Sequence, residues 1–165
     1  MVHHRNMKEI MAPHGHVILV DDEDYEALSA FKWCLNSGKN KYAIRRTTNA
    51  EGGHLQLMHR QIMGVGRFSD NGIYVDHING NTLDNRKENL RLATNQQNAV
   101  NSRKPKNNTS GLKGVIFYPK QNRWRAFIKF NYKQIHLGMF GTKEEAHAAY
   151  CAKAIELYGE FARFE

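Results

Sequence analysis

Apolar residues near the start of the chain fall into short runs separated by polar segments. Residues 17–20 are all Val, Ile or Leu and have the length of a strand. Acidic residues fill positions 21–24, and Tyr25, Leu28 and Phe31 follow at helical spacing. This pattern predicts a strand and then a short helix whose first turn carries favourably placed acids.

Two more strands and a second short helix are expected in the next stretch. Residues 42–47 and 54–57 have strand character, and a pair of glycines between them predicts a turn. Leu57, Ile62 and Met63 then favour a short helix that carries His59 and Arg60.

A strand, loop, strand, helix pattern occupies residues 73–101. The apolar run 73–78 leads into Asn-Gly, a strong tight-turn dipeptide, and residues 90–93 alternate as in a second strand. Thr94 with Gln97 forms a capping-box pattern that predicts a helix start.

The last 55 residues predict a separate small module of three strands and one helix. Runs at 115–118, 124–130 and 135–139 are separated by polar turns, and a second capping box precedes a helical apolar stripe. In the middle run, Trp, Ala, Ile and Phe share one face, while Arg125, Phe127 and Lys129 share the other. An α+β fold is therefore expected.

Charge separates these two regions. The 165 residues carry a net charge of +8, of which residues 1–100 contribute +1 and residues 101–165 contribute +7. Residues 101–133 contain nine basic residues and no acidic one. Such a stretch favours a polyanionic partner, although a solvated basic face would give the same count.

Composition excludes several classes of protein. No run approaches the roughly 18 apolar residues of a membrane span, and no secretory signal is recognisable. Two cysteines cannot build a disulfide framework or a four-ligand zinc site, so we expect no structural zinc and a reducing, cytoplasmic compartment. We expect no membrane partner.

Asp76, His77 and Asn98 are the best candidates for chemistry. Carboxylate and amide oxygens suit Mg²⁺ or Mn²⁺, and a neutral histidine can take a proton from water near pH 7. A surface aspartate beside a half-buried histidine is the alternative interpretation. Neighbouring strand residues point to opposite faces, so Asp76 and His77 can flank one phosphate only where the strand ends or twists.

Residues 76–98, with their Asp-His pair, Asn-Gly loop, Asn-Leu-Arg segment and terminal Asn, resemble the catalytic motif of phage-type HNH homing endonucleases. The resemblance implies a ββα-metal fold, with a core at about 73–101, and single-metal cleavage of DNA. It implies that His77 is the general base and that Asp76 and Asn98 are metal ligands. Asn89 would brace the loop between the strands, and Asn85 is a rival for that role.

Two residues of the short helix, His59 and Arg60, each allow two interpretations. His59 is either a second imidazole at the scissile phosphate or a structural residue behind the site. Arg60 either clamps a phosphate or is simply exposed.

Residues 111–162 resemble the plant APETALA/ethylene-response-factor DNA-binding domain, on pieces that include Lys113-Gly114-Val115, residues 124–128 and residues 137–140. The resemblance implies that the sheet binds the major groove of double-stranded DNA. The expected DNA-facing cations are Lys113, Arg123, Arg125, Lys129, Lys133 and His136, with Arg103, Lys104 and Lys106 in a basic linker. Plant domains commonly have Arg at position 116 and Glu at position 127, where this chain has Ile and Phe. Phe127 is either a contact for a thymine methyl or an ordinary apolar surface residue.

Together these features predict a site-specific DNA endonuclease of the HNH homing type, phage-encoded or bacterial and monomeric rather than dimeric. The expected parts are a nuclease domain at 1–100, a linker at 101–110 and a DNA-binding domain at 111–165. A DNA-binding regulator with a vestigial nuclease domain, or a restriction-type HNH nuclease, is the alternative.

Overall fold

The computed structural model describes residues 7–67, 72–102, 104 and 107–164. Helices are combined with small antiparallel sheets, so the predicted α+β class is confirmed. The chain forms two compact units, residues 1–94 and 95–165. This division lies before the helix that the sequence assigned to the nuclease domain, and the domain boundaries at 100 and 111 stay a prediction. Among the described helices, none is both long enough and apolar enough to cross a membrane.

The first unit is built from two hairpins, a small sheet and two short helices. In chain order its elements are β1 (Met7–Ala12), β2 (His16–Asp21), α1 (Asp22–Ser29), β3 (Cys34–Leu35), β4 (Ala43–Arg46), β5 (Leu55–Leu57), α2 (Met58–Ile62), β6 (Tyr74–His77) and β7 (Leu90–Ala93). Strands β1 and β2 pair, β4 lies between β3 and β5, and β6 pairs with β7. Strand β1 was not predicted, because only Ile10 and Ala12 of that strand are buried and its hydrophobic pattern is weak.

The core of the first unit fixes the position of the loop that precedes β7. Ile18, Val20 and Met58 are fully buried in this core. From the same strand, Leu19 donates its amide to the carbonyl of Leu83 at 2.9 Å and accepts from the amide of Asn85 at 2.8 Å. The apolar strand predicted at 17–20 therefore anchors the loop between β6 and β7.

The second unit contains a three-stranded sheet packed on one long helix. Its elements are α3 (Asn95–Asn101), β8 (Val115–Tyr118), β9 (Arg123–Phe130), β10 (Lys133–Phe140) and α4 (Lys143–Tyr158), with β9 in the centre of the sheet. Thr142 and Glu145 form the expected reciprocal capping box at the start of α4.

Small residues allow α4 to approach the sheet closely. Val115, Ala126 and Ala146 form the buried centre of this core. Gly114 has φ +72° and faces the ring of Tyr150, where an added Cβ would lie 2.0 Å from a ring carbon. Only glycine fits this position, and the helix is thereby locked against the start of β8.

Candidate active site and DNA-binding surface

The Asp-His pair lies at the end of β6, where the strand gives way to the Asn-Gly turn. Asp76 is opposite Arg91 and His77 is opposite Leu90 in the antiparallel pairing with β7. Asp76 and His77 are 6% and 4% exposed, so neither is the surface residue of the alternative interpretation. The Nε and Nη2 atoms of Arg91 both donate to Oδ2 of Asp76 at 3.0 Å, which holds the carboxylate in place.

Three rings surround this strand end. The ring centroids of His59 and His77 lie 5.0 Å apart in an edge-to-face arrangement, and Tyr42 lies 5.4 Å from His59 and 6.0 Å from His77. In the sequence, Tyr42 has only the character of a core or strand residue. Tyr42 directly precedes β4 and His59 lies on α2, so folding brings these rings together from separate parts of the chain.

Burial makes both imidazoles weak bases. Desolvation, with smaller contributions from His77 and Arg60, lowers the pKa of His59 to about 3. Desolvation also lowers the pKa of His77, against the opposing effects of Asn85, Asp76 and Asp84. A neutral imidazole is the form that accepts a proton, so His77 is in the correct state for a general base at neutral pH.

Asn85 lies beside His77. Its Oδ1 is 3.4 Å from His77 Nε2, its side chain is fully buried, and its Nδ2 has no hydrogen-bond partner among the described residues. The same holds for the buried Nδ1 of His59 within the part of the chain that the structure describes. Unpaired buried polar atoms cost free energy, so the side chains of this region are not arranged for maximal stability.

Asn89 makes the hydrogen bonds that hold the loop between β6 and β7. Its Oδ1 accepts from the amide of Asn79 at 2.9 Å, and its Nδ2 donates to the carbonyl of Asp84 at 2.7 Å. Of the two asparagines considered for the loop brace, Asn89 therefore contacts both ends of the loop, whereas Asn85 contacts the histidine. The catalytic role of either residue stays a prediction.

Acidic residues at the end of β2 and the start of α1 have a structural role that the sequence did not reveal. Asp21 accepts from the backbone amide of Lys87 at 2.7 Å, and the Lys87 ammonium lies 2.6 Å from Glu23 and 3.1 Å from Asp24. This lysine fastens the segment just before Asn89 to the first helix. From the sequence alone, the same acids were expected only to stabilise the first turn of a helix.

Arg60 is not an exposed side chain. Its guanidinium is buried and donates to the backbone carbonyls of Gly66 and Ile73. Both of the alternatives considered from the sequence assumed an accessible group, and that assumption was wrong. Burying an arginine requires hydrogen-bond acceptors, and the segment that leads into β6 supplies them.

The expected metal ligands are Asp76 in the first unit and Asn98 on α3 in the second. Both offer oxygen donors, and a carboxylate with an amide oxygen is a donor set that fits Mg²⁺ or Mn²⁺. Arg91 fixes the orientation of the Asp76 carboxylate, as partners of metal-binding residues commonly do.

In the second unit, the register of the sheet defines an outer face opposite α4. Cross-strand partners point to the same side, so β9 residues Arg123, Arg125, Phe127 and Lys129 share this face with Tyr118, Ile116, His136 and Gln134. Met139, opposite Arg125, completes it. Four of the residues expected to face DNA therefore lie on one surface: Arg123, Arg125, Lys129 and His136.

The other expected cations have different positions. Lys133 pairs with Phe130 and so lies on the opposite side of the sheet from Arg125, because strand side chains alternate. Lys113 is partly buried, and its ammonium donates to the carbonyls of Val100 and Ser102. Desolvation, with a smaller effect of Arg163, lowers the pKa of Lys113 to about 8. Neither lysine lies on the outer face with Arg125, and their contact with DNA stays a prediction.

Only part of the predicted linker can be placed. Lys104 donates to the carbonyl of Gly111 at 2.7 Å, while Arg103 and Lys106 lie outside the described residues. Asn101 and Ser110 are buried, so the described ends of this segment are packed rather than freely solvated.

A cleft of about 650 Å³ borders the sheet of the second unit. Amide and aromatic side chains predominate in its lining, including Gln96, Asn108, Phe127, Tyr150 and Tyr158. Ile116 also lines it, so two apolar residues of the outer face border an accessible space.

Comparisons with known proteins agree with this arrangement. Residues 56–100 match the family model of an HNH endonuclease, and residues 110–160 match that of an AP2 domain. Protein 3.8 of Escherichia phage T7 is 40% identical over 93 residues, covering 56% of this chain and 76% of that protein. An uncharacterised HNH endonuclease of Acanthamoeba polyphaga mimivirus is 36% identical over 151 residues, covering 90% of this chain and 74% of that protein. No solved structure gives a significant match.

The matched segments coincide with the two candidate surfaces. Asp76, His77, Asn89 and Asn98 all fall within the HNH match, and the outer face falls within the AP2 match. The expected resemblance and the ββα-metal nuclease fold are thereby confirmed. The chain belongs to the HNH endonuclease family and carries an AP2 domain in its C-terminal part.

Proposed function

We propose that this nuclease is a site-specific DNA endonuclease of the homing type, in which His77 is the general base. The observation that carries the proposal is the environment of His77. It is a buried imidazole with a lowered pKa, beside an oriented carboxylate, at the end of a strand whose following loop is held by Asn89. Hydrolysis of a phosphodiester needs such a base next to a cation-binding group.

Each residue has a defined task in this mechanism. His77 takes the proton from the attacking water, and Asn85 restrains the orientation of its ring. Asp76 and Asn98 would hold Mg²⁺ or Mn²⁺, which supplies neutralisation of the charge that develops on the phosphate. His59 packs edge-on against the His77 ring and helps to hold that ring in position. The products carry 5′-phosphate and 3′-hydroxyl ends.

The second unit supplies affinity for double-stranded DNA. Arg125 and Lys129 have no carboxylate partner within the described part of the chain, so their charges are available to phosphates. We propose that residues 1–100 perform the chemistry, that residues 101–110 follow the DNA backbone and that residues 111–165 select the site. A monomer with one His77 would cut one strand at a time, in the cytoplasm of a bacterial host.

The test is cleavage of a plasmid that contains a sequence selected for binding from random duplexes. Conversion of supercoiled plasmid to nicked or linear DNA is expected with Mg²⁺ and not with EDTA. His77→Ala is expected to reduce the cleavage rate by at least about a hundredfold, because general-base catalysis contributes that much or more, and to leave binding unchanged.

His16→Ala, at an exposed position of β2, is the matched control and should cleave normally. Full activity of His77→Ala would rule out the assigned base. Binding without cleavage under every metal condition would instead support the hypothesis of a DNA-binding regulator. A short palindromic site would favour restriction over homing.

A further inference from the structure

The outer face of the sheet alternates apolar and basic side chains. Tyr118 lies opposite Arg123, Ile116 lies opposite Arg125, and Phe127 lies opposite His136. The cross-strand neighbours of Tyr118 and Ile116 are therefore arginines, and that of Phe127 is a histidine. None of the described residues that the register assigns to this face is acidic.

The apolar residues of this face are accessible. Ile116 is 39% exposed and Tyr118 is 37% exposed. Phe127 is half-buried and, together with Ile116, borders the cleft of about 650 Å³. Isolated apolar residues are common on surfaces, but here they cluster in the middle of a cationic surface.

The positive charge of the outer face indicates that DNA is its partner. The apolar side chains at its centre limit which base edges of the DNA can pack against it. A surface of cations without acids complements the DNA backbone. In the major groove, thymine alone among the four bases exposes a methyl group, whereas guanine and cytosine expose polar atoms. Isoleucine and phenylalanine against a G·C edge would bury donors and acceptors without partners, which is unfavourable.

We propose that the outer face recognises the C5-methyl groups of thymines in the major groove, with Ile116 and Phe127 as the specificity-determining contacts. The inference rests on the proposed DNA-binding role of the second unit and names what that unit selects. Arg125 and His136 hold the flanking backbone. The selected sites contain thymine at the positions that face these two residues.

Replacing thymine by uracil tests this directly, since uracil has the same hydrogen-bonding groups and lacks only the methyl. The full-length protein is used with EDTA to select binding sequences from random duplexes. The enriched sequence is then synthesised with thymine or with uracil. We expect a loss of about fourfold in affinity for each methyl that packs against protein, and roughly 15- to 60-fold for two or three.

Side-chain truncation shows whether the two named residues make the contact. In Ile116→Ala and Phe127→Ala, the ratio of thymine to uracil affinity should fall towards one. Ile155→Ala removes an exposed isoleucine from α4, outside the outer face, and should keep the wild-type ratio. Circular dichroism of each variant confirms that it is folded.

The possible results separate this inference from the function on which it depends. Equal affinity for thymine and uracil DNA, or an enriched sequence without thymine, would overturn methyl recognition while leaving DNA binding intact. An unchanged ratio in both truncated variants would overturn the assignment of Ile116 and Phe127. Failure to enrich any sequence would count against the proposed site-specific binding itself.

Discussion

The two units use polar side chains in opposite ways. In the first, Asp76, His77, Asn85 and Asn89 are buried and contact other protein groups. In the second, the outer face of a small sheet carries Arg123, Arg125 and Lys129 and no acidic residue among those described. The proposed chemistry needs side chains held in one geometry in a dry environment, whereas the proposed recognition needs charge and shape presented to a large partner.

Two arginines illustrate the difference. Arg91 on β7 and Arg125 on β9 both lie on antiparallel strands opposite a residue of the neighbouring strand. Arg91 lies opposite Asp76, so the protein itself neutralises the charge of this arginine. Arg125 lies opposite Ile116, so the charge of this arginine is available to a ligand. The cross-strand neighbour of an arginine, rather than its residue type, therefore determines whether it forms an internal ion pair or can bind a ligand.

The largest expected effect comes from Arg91→Ala. This change leaves the Asp76 carboxylate buried without its cation, which we expect to lower the free energy of unfolding of the first unit by about 3–5 kcal/mol. The chain has two tryptophans, so Trp33 fluorescence in a Trp124→Phe background reports urea unfolding of this unit.

Arg125→Ala is the matched control for stability and should change it by less than about 0.5 kcal/mol. Adding Asp76→Asn to Arg91→Ala should recover part of the loss, because the buried carboxylate charge that Arg91 no longer balances is removed. Equal stability of the two single arginine variants would contradict the contrast between the units.

The buried His59 should make the free energy of unfolding of the first unit depend on pH. The pKa of His59 is about 3 when folded and about 6.5 when unfolded, so between these values the unfolded chain binds the extra proton. Stability therefore falls as the pH is lowered through this window, with a contribution from His59 of about 2 kcal/mol between pH 7 and pH 5.

His59→Gln removes the titrating group, and its stability should vary less with pH over the same range. Urea unfolding followed by Trp33 at pH 7 and pH 5 measures both proteins. A pH dependence identical to that of the wild type would show that His59 titrates normally.

A smaller effect is expected from Arg125→Ala on DNA binding. If this guanidinium contacts a phosphate, its loss should reduce the slope of log K against log salt concentration by about 0.9. Fluorescence anisotropy over a series of salt concentrations measures the slope. Lys143→Ala removes a cation from the start of α4 and should leave the slope unchanged.

The smallest effect is expected at the turn between β9 and β10. Asn131 and Tyr132 have φ values of 48° and 62°, and the tyrosine is 96% exposed. Tyr132→Gly should raise the free energy of unfolding by about 0.5–1 kcal/mol, because glycine adopts this conformation without strain. Thermal unfolding followed by Trp124 in a Trp33→Phe background measures it.

Tyr132→Ala keeps the Cβ atom and should give no such gain. A similar increase in both variants would show that the side chain, rather than the backbone conformation, is the source of the strain.

Local pattern was sufficient to locate most elements. The apolar run at 17–20, the alternation at 90–93 and the capping box at Thr142 each correspond to an observed element, because short-range periodicity and end signals act within a few residues. Strand β1 was missed because four of its six residues are exposed and its pattern carries little hydrophobic signal.

The sequence was less informative about which functional candidates are accessible. Arg60, Lys113 and Lys133 looked equivalent to Arg125 as cations. Their difference depends on carbonyl acceptors elsewhere in the chain and on the face that the strand register assigns. Neither factor is local, so residue type alone could not separate them.

By itself, the sequence determined the α+β class, the two motifs and the residues expected to perform chemistry, because each depends on residue type and short spacing. Only the tertiary structure decided that Arg91 pairs with Asp76, that Tyr42 and His59 surround His77, and that Ile116 and Phe127 share a face with Arg125. These contacts join residues that are distant in the chain, and strand pairing and packing create them when the chain folds.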